Sequence, residues 1–142
     1  MKRRTRAREA ALRVLYQIEL TLDPPEEVLE NFWRESSLGA EVRAFAEQLV
    51  YGVIQQRAIL DRVINDVSTR WSVERMPIID RNILRIAVFE LMFLSDIPPK
   101  VSINEAIELA KVYGAKESPA FINGILDPVS KDLPRACAGE TQ

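Results

Sequence analysis

The sequence predicts an all-α protein built from seven helices. Three observations carry that reading. Apolar residues recur at the i, i+4, i+7 spacing of a buried helix face along nearly the whole chain. Proline and glycine fall between those runs rather than within them, with few exceptions. No segment shows the period-two alternation of a strand, and no internal repeat or low-complexity linker interrupts the pattern.

The first helix carries Ala7, Ala11, Val14, Leu15, Ile18 and Leu22 on one face, and Thr5 reads as its cap, leaving residues 1–4 as a flexible arm. Asp23-Pro24-Pro25-Glu26 reads as a fresh start, with Asp23 at N-cap, Pro24 at N1 and Glu26 closing a capping box. Val28, Leu29, Phe32 and Trp33 form the apolar face of this short second helix. After the break at Gly39, Val42, Phe45, Ala46, Leu49, Val50 and Val53 define a third helix. Gly52 and Gln55-Gln56 suggest a bend before a fourth, which carries Ile59, Leu60, Val63, Ile64 and Val67.

A loop around Trp71 and Ser72 leads to a fifth helix opened by Pro77. It is apolar on most sides, from Ile78 to Leu94, and a helix of that kind sits at the centre of its bundle. Asp96-Ile97-Pro98-Pro99 stops it, because proline cannot continue the hydrogen-bond ladder. Ser102 and Glu105 read as the capping box of helix six, with Ile103, Ala106, Ile107 and Ala110 inward and Gly114 at its C-terminus. Ser118-Pro119 opens helix seven, with Phe121, Ile122, Ile125 and Leu126; Pro128 ends or kinks it. The expected organisation is one domain: an N-terminal helical part over 1–70, a C-terminal part over 71–132, and a disordered tail over 133–142.

Composition excludes several classes of function. With no histidine among 142 residues, the commonest general base and transition-metal ligand are missing. Cys137 is the one cysteine, so no disulfide can form within the chain. Glycines are scattered at breaks rather than gathered into a phosphate-cradling loop, and the spacing of Asp61, Asp66, Asp80, Glu105 and Glu108 demands no metal. No apolar run approaches the roughly 20 residues of a membrane span. The N-terminus lacks the apolar core of a secretory signal, and Glu9 and Glu19 count against a mitochondrial presequence. The expectation is a cytoplasmic binding protein without cofactor or catalytic activity.

Charge is distributed unevenly. The net value is −2, yet Lys2, Arg3, Arg4, Arg6 and Arg8 precede the first acid, Glu9. Arginine suits phosphate oxygens and can stack on bases, so an anionic partner is indicated. From charge alone, nucleic acid and a solvated helix start are equally good readings. Tyr16 falls nearly opposite the apolar stripe of the first helix, near Glu9 and Arg13. There it either offers a ring for base stacking or covers a second packed face with Leu12 and Leu20. Phe121, one turn before Ile125, reads by periodicity as core.

Four segments together resemble the NusB family along nearly the whole chain. They are Arg4-Thr5-Arg6-Ala7-Arg8-Glu9 followed by Val14-Leu15-Tyr16; Asp80-Arg81-Asn82-Ile83-Leu84-Arg85-Ile86-Ala87 with Glu90-Leu91; Val101 through Lys111; and Phe121-Ile122-Asn123-Gly124-Ile125-Leu126-Asp127. The resemblance implies an all-α fold of two packed three-helix bundles. It also implies binding of boxA-type single-stranded RNA together with the ribosomal protein NusE, in a complex that joins other Nus factors on RNA polymerase and supports ribosomal RNA transcription. It implies RNA contacts at the arginine-rich start (Lys2, Arg3, Arg4, Arg6, Arg8), at Tyr16, and around Glu117 and Phe121, with Asp80 on the surface that meets NusE. Thr5, Ala120 and Pro128 depart from the basic residues that relatives carry at those places. Similar domains also precede ribosomal-RNA cytosine methyltransferase domains; the chain's end at Gln142 argues against that arrangement. An interaction module that buries its basic face in a homodimer is the other alternative.

Overall fold

The computed structural model describes residues 3–132, so Lys2, Cys137 and the tail over 133–142 lie outside the described residues. Seven α-helices follow one another: α1 (Arg3–Thr21), α2 (Pro25–Arg34), α3 (Ala40–Gln55), α4 (Arg57–Val67), α5 (Ile78–Phe93), α6 (Pro99–Tyr113) and α7 (Ser118–Asp132). One 3-10 turn, Val73–Arg75, precedes α5, and no strand occurs among the described residues. The all-α expectation holds.

Helix α5 is the axis of the molecule. All but one of its residues from Asp80 to Leu91 are buried, and it packs against α1, α3, α4, α6 and α7. This placement follows from a sequence that is apolar on most sides and so has no face to give to water. Around it, α1 lies mainly on α3, while α6 pairs with α7. Helix α4 packs on α5 and α7 more than on α3, which groups α1–α3 on one side of the core and α4–α7 on the other. Where α3 crosses α5, Gly52 faces the Phe89 ring so closely that a Cβ would fall 2.2 Å from its tip. The bend expected around Gly52 and Gln55-Gln56 lies at Gln56, between α3 and α4.

Several helix ends differ from expectation, two of them because a short polar side chain has a tertiary partner. Helix α1 already begins at Arg3, and Thr5 lies inside it, donating its hydroxyl to Glu105 at 2.8 Å. Ser102 lies one turn into α6 and donates to Glu90 at 2.6 Å instead of capping. At α2 the cap is Pro24, with Pro25 in the first turn and no side-chain capping bond, so Asp23 plays no capping part. Pro128 neither ends nor breaks α7, which continues to Asp132. Its missing N–H frees the carbonyl of Gly124, an exposed residue whose oxygen water can serve. Leu22, expected on the buried stripe, is 84% exposed and adopts φ 62°, where its N–H bonds the Ile18 carbonyl to close α1.

Candidate nucleic-acid interface

Helix α1 divides its arginines between two environments. Arg3, Arg4, Arg6 and Arg13 are exposed, whereas Arg8 is 3% exposed. The cause is helical phase. Leu12 and Leu15, four and seven residues after Arg8, are core residues, so Arg8 points where they point. Its Nε donates to Glu90 Oε2 at 2.7 Å and its Nη2 to Glu90 Oε1 at 2.8 Å, a two-pronged pair. Ser102 also donates to Glu90 Oε1, and Glu105 stands 3.4 Å from Arg8 Nη1. Arg8 is therefore a structural tie between α1, α5 and α6, not an exposed ligand as the family resemblance implied.

The exposed arginines line open grooves. Arg6 and Arg13, two turns apart, share a groove of about 740 Å³ with Glu9, Gln17, Asn31, Phe32 and Ser36-Ser37. Among the described residues, neither lies within ion-pair distance of a carboxylate, and Arg13 rests 5.5 Å above the Phe32 ring. Arg3 pairs with Glu41, and Arg4 reaches Asp96 at 3.9 Å while stacking 4.6 Å above Phe45. These exposed pairs are weak and easily exchanged for a phosphate. Arg3 and Arg4, expected within a flexible arm, are thus part of α1; residues 1 and 2 lie outside the described residues.

Tyr16 stands beside this basic face. It is 37% exposed and lines a second, largely apolar groove with Leu12, Leu20, Phe32, Ile79 and Tyr113. Its side chain is thus neither enclosed in the core nor fully open to solvent. Tyr113 bonds the Glu9 carboxylate; burial, then that acid, hold its hydroxyl above the usual range and keep it a donor.

Helix α5 also packs against α7, the helix that carries Phe121. Asp80, next to Ile79, is 4% exposed and accepts the Ser118 hydroxyl through both oxygens, at 2.9 and 3.1 Å. Burial raises its carboxyl above the ordinary range, the Ser118 bond lowers it, and the nearby Glu117 charge raises it again. Asp80 thus ties α5 to α7 instead of presenting a carboxylate to a partner, which corrects its expected exposure. Glu117 is exposed on the approach to α7. Phe121 is half-buried and meets Trp71 edge to face, with ring centroids 5.3 Å apart. The fold thus brings Arg6, Arg13 and Tyr16 to one side of α1, while Glu117 and Phe121 stand at the start of α7, which the buried Asp80–Ser118 contact ties to α5. Arg13 is the member that sequence reasoning left out. Its signal was the seven-residue interval from Arg6.

On the far side of α5, Arg85 is buried and bonds Asp61 through Nε (2.8 Å) and Nη2 (3.1 Å), with Glu19 at 3.3 Å. Glu19 also pairs with Arg81 and accepts from Asn82 at 2.7 Å. Burial pushes the Glu19 carboxyl up, but the bonds from Arg81 and Asn82 and the charges of Arg81 and Arg85 bring it below the usual range. No group of three acids, cysteines or histidines that could hold a metal occurs among the described residues, and no described helix is long and apolar enough to cross a membrane.

The model of the NusB family matches residues 5–131. The chain belongs to the NusB family. The transcription antitermination protein NusB of Anaeromyxobacter dehalogenans (strain 2CP-1 / ATCC BAA-258) is 51% identical over 139 residues, covering 97% of both chains. That of Sorangium cellulosum is 43% identical over 135 residues, covering 95% of this chain and 96% of its own. Among solved structures, NusB of T. maritima superposes with a TM-score of 0.87 at 35% identity, covering 98% of each chain. A complex of the antitermination factors NusB and NusE with double-stranded RNA contains a chain that matches at TM-score 0.85 and 28% identity, covering 94% of this chain and 99% of that one. The NusB family is one of transcription antitermination proteins and not of enzymes, as the residue inventory suggested.

Proposed function

We propose that this NusB-family protein binds boxA-type single-stranded RNA cooperatively with the ribosomal protein NusE, and so supports transcription of ribosomal RNA with other Nus factors on RNA polymerase. The observation that carries the reading is the pair Arg6 and Arg13, without a close ion pair among the described residues and lining one open groove beside a half-exposed Tyr16. Arginines placed this way suit phosphates, and a tyrosine face beside them suits an unpaired base. Glu117 accepts hydrogen bonds from base amino groups, and Phe121 adds a second ring. Arg8 and Asp80 act indirectly, by fixing α1 and α7 in register.

The relatives that match in structure include a NusB and NusE complex with RNA, which supports both partners. That RNA is double-stranded, so strand state belongs in the test. Affinity is measured for boxA-type RNA, single- and double-stranded, with and without NusE, across a salt series. If Arg3, Arg4, Arg6 and Arg13 all contact phosphates of a single strand, log affinity falls against log salt with a slope of about −3. Scrambled RNA binding as tightly as boxA RNA in the presence of NusE removes the sequence-specific part of the proposal. Dimerisation or NusE binding with no response to RNA favours a pure interaction module.

A further inference from the structure

The exposed cluster that the basic face does not account for lies at the loop between α4 and α5. Trp71 is 37% exposed, the Arg70 guanidinium lies 5.0 Å above its ring, and its edge contact with Phe121 fixes it against the first turn of α7. The loop is pinned at both ends. Ser68 donates its hydroxyl to the Trp71 carbonyl at 2.6 Å, and Asn65 accepts the Val73 N–H at 2.9 Å. A large aromatic side chain held this way costs little further ordering when something stacks on it.

We infer that Trp71 and Arg70 form a further RNA contact, extending the proposed single-stranded site past Phe121. This inference rests on the RNA-binding reading above. Two features favour nucleic acid over a protein partner. Arg70 is exposed, and among the described residues its one partner is the indole ring, so its charge is available to a phosphate. The cluster also abuts Phe121, which belongs to the proposed RNA site, through the edge-to-face ring contact. An arginine and an indole side by side supply the phosphate contact and the stacking ring that single strands use. The strand leaving Tyr16 and Phe121 then ends on Trp71, with its phosphate on Arg70.

The test uses the whole chain and a short boxA-type single-stranded RNA labelled for anisotropy. Trp33→Phe leaves Trp71 as the one tryptophan, and its emission is quenched as RNA saturates. Arg70→Ala weakens RNA binding about three- to tenfold and makes the salt slope shallower by about 0.7. Trp71→Ala weakens it by about five- to a hundredfold. Unchanged emission at saturation, with wild-type affinity and slope for Arg70→Ala, overturns the inference and leaves Trp71 as packing for Phe121. These two readouts stand even if Trp71→Ala fails to fold. Emission that responds to NusE but not to RNA overturns it in favour of a protein contact. Absence of RNA binding by the wild-type chain, with or without NusE, is a different result and fails the RNA-binding reading itself.

Discussion

Arg6 and Arg8 are two residues apart on the same helix and serve opposite ends. Arg6 faces an open groove with no carboxylate within ion-pair distance among the described residues, whereas Arg8 is enclosed by Glu90, Glu105 and Ser102. A rotation of about 200° along the helix separates them. The same residue type therefore gives an exposed charge on one side and a tie between three helices on the other. The difference teaches that a run of arginines is not a unit; each member takes its role from the face on which it falls.

The largest expected effect comes from breaking the enclosed side. Arg8→Ala leaves Glu90 buried without its cation, which costs about 3–5 kcal/mol of stability. Arg6→Ala changes stability by no more than about 0.5 kcal/mol and acts on RNA affinity instead. Urea unfolding of the two variants, beside RNA titrations under folding conditions, separates the roles. Equal stability of the two variants would contradict the division.

A second buried cluster sharpens the same contrast through pH. Glu19 is held below its ordinary range by Arg81, Asn82 and Arg85 despite its burial. A carboxyl with a lowered folded pKa adds stability that is present above its unfolded value, 4.5 for a model glutamate, and is lost as pH falls through the lowered folded value. Glu19→Gln should cost about 1.5–3 kcal/mol at neutral pH. It should also flatten the acid limb of the stability profile below pH 4.5. A variant whose acid limb matches the wild type removes Glu19 from the account.

On the exposed side, Tyr16→Ala should weaken RNA binding by about 1–3 kcal/mol, and Tyr16→Phe by much less, because the ring rather than the hydroxyl stacks. Stability measured alongside matters here, since Tyr16 is only 37% exposed and shares its groove with Leu12 and Phe32. A loss of stability with unchanged RNA affinity would make Tyr16 a packing residue alone.

Periodicity made the helices legible, because each buries one stripe against α5 and the stripe repeats in the sequence. The ends were less legible. Thr5 and Ser102-x-x-Glu105 look like local starts, but Glu105 and Glu90 draw the two hydroxyls into tertiary bonds. No local pattern reveals a partner 100 residues away. The basic patch was legible as charge but not as geometry. Arg8 counted with its neighbours until Leu12 and Leu15 were read as its companions, and Asp80 counted as a surface acid until Ser118 was found against it. Trp71 lay in a loop, where periodicity says nothing about what a side chain meets.

Asp80 is the smallest test and the one that divides the buried charges among themselves. Glu90 has a guanidinium; Asp80 has one hydroxyl, from Ser118, and a like-charged neighbour in Glu117. Its raised carboxyl reverses the sign of the Glu19 effect. The stability it contributes is full below its unfolded value, 3.8 in a model aspartate, and is lost as pH rises through the folded value. Asp80→Asn keeps an oxygen to accept the Ser118 hydroxyl and carries no charge to desolvate. At neutral pH it should therefore fall within about 1 kcal/mol of the wild type, on the stabilising side. Its advantage should shrink as pH is lowered towards 4, because the wild-type carboxyl then takes up its own proton. A loss of several kcal/mol for Asp80→Asn at neutral pH, comparable with Arg8→Ala, would show that the ionised carboxylate holds α5 to α7, as Glu90 holds Arg8.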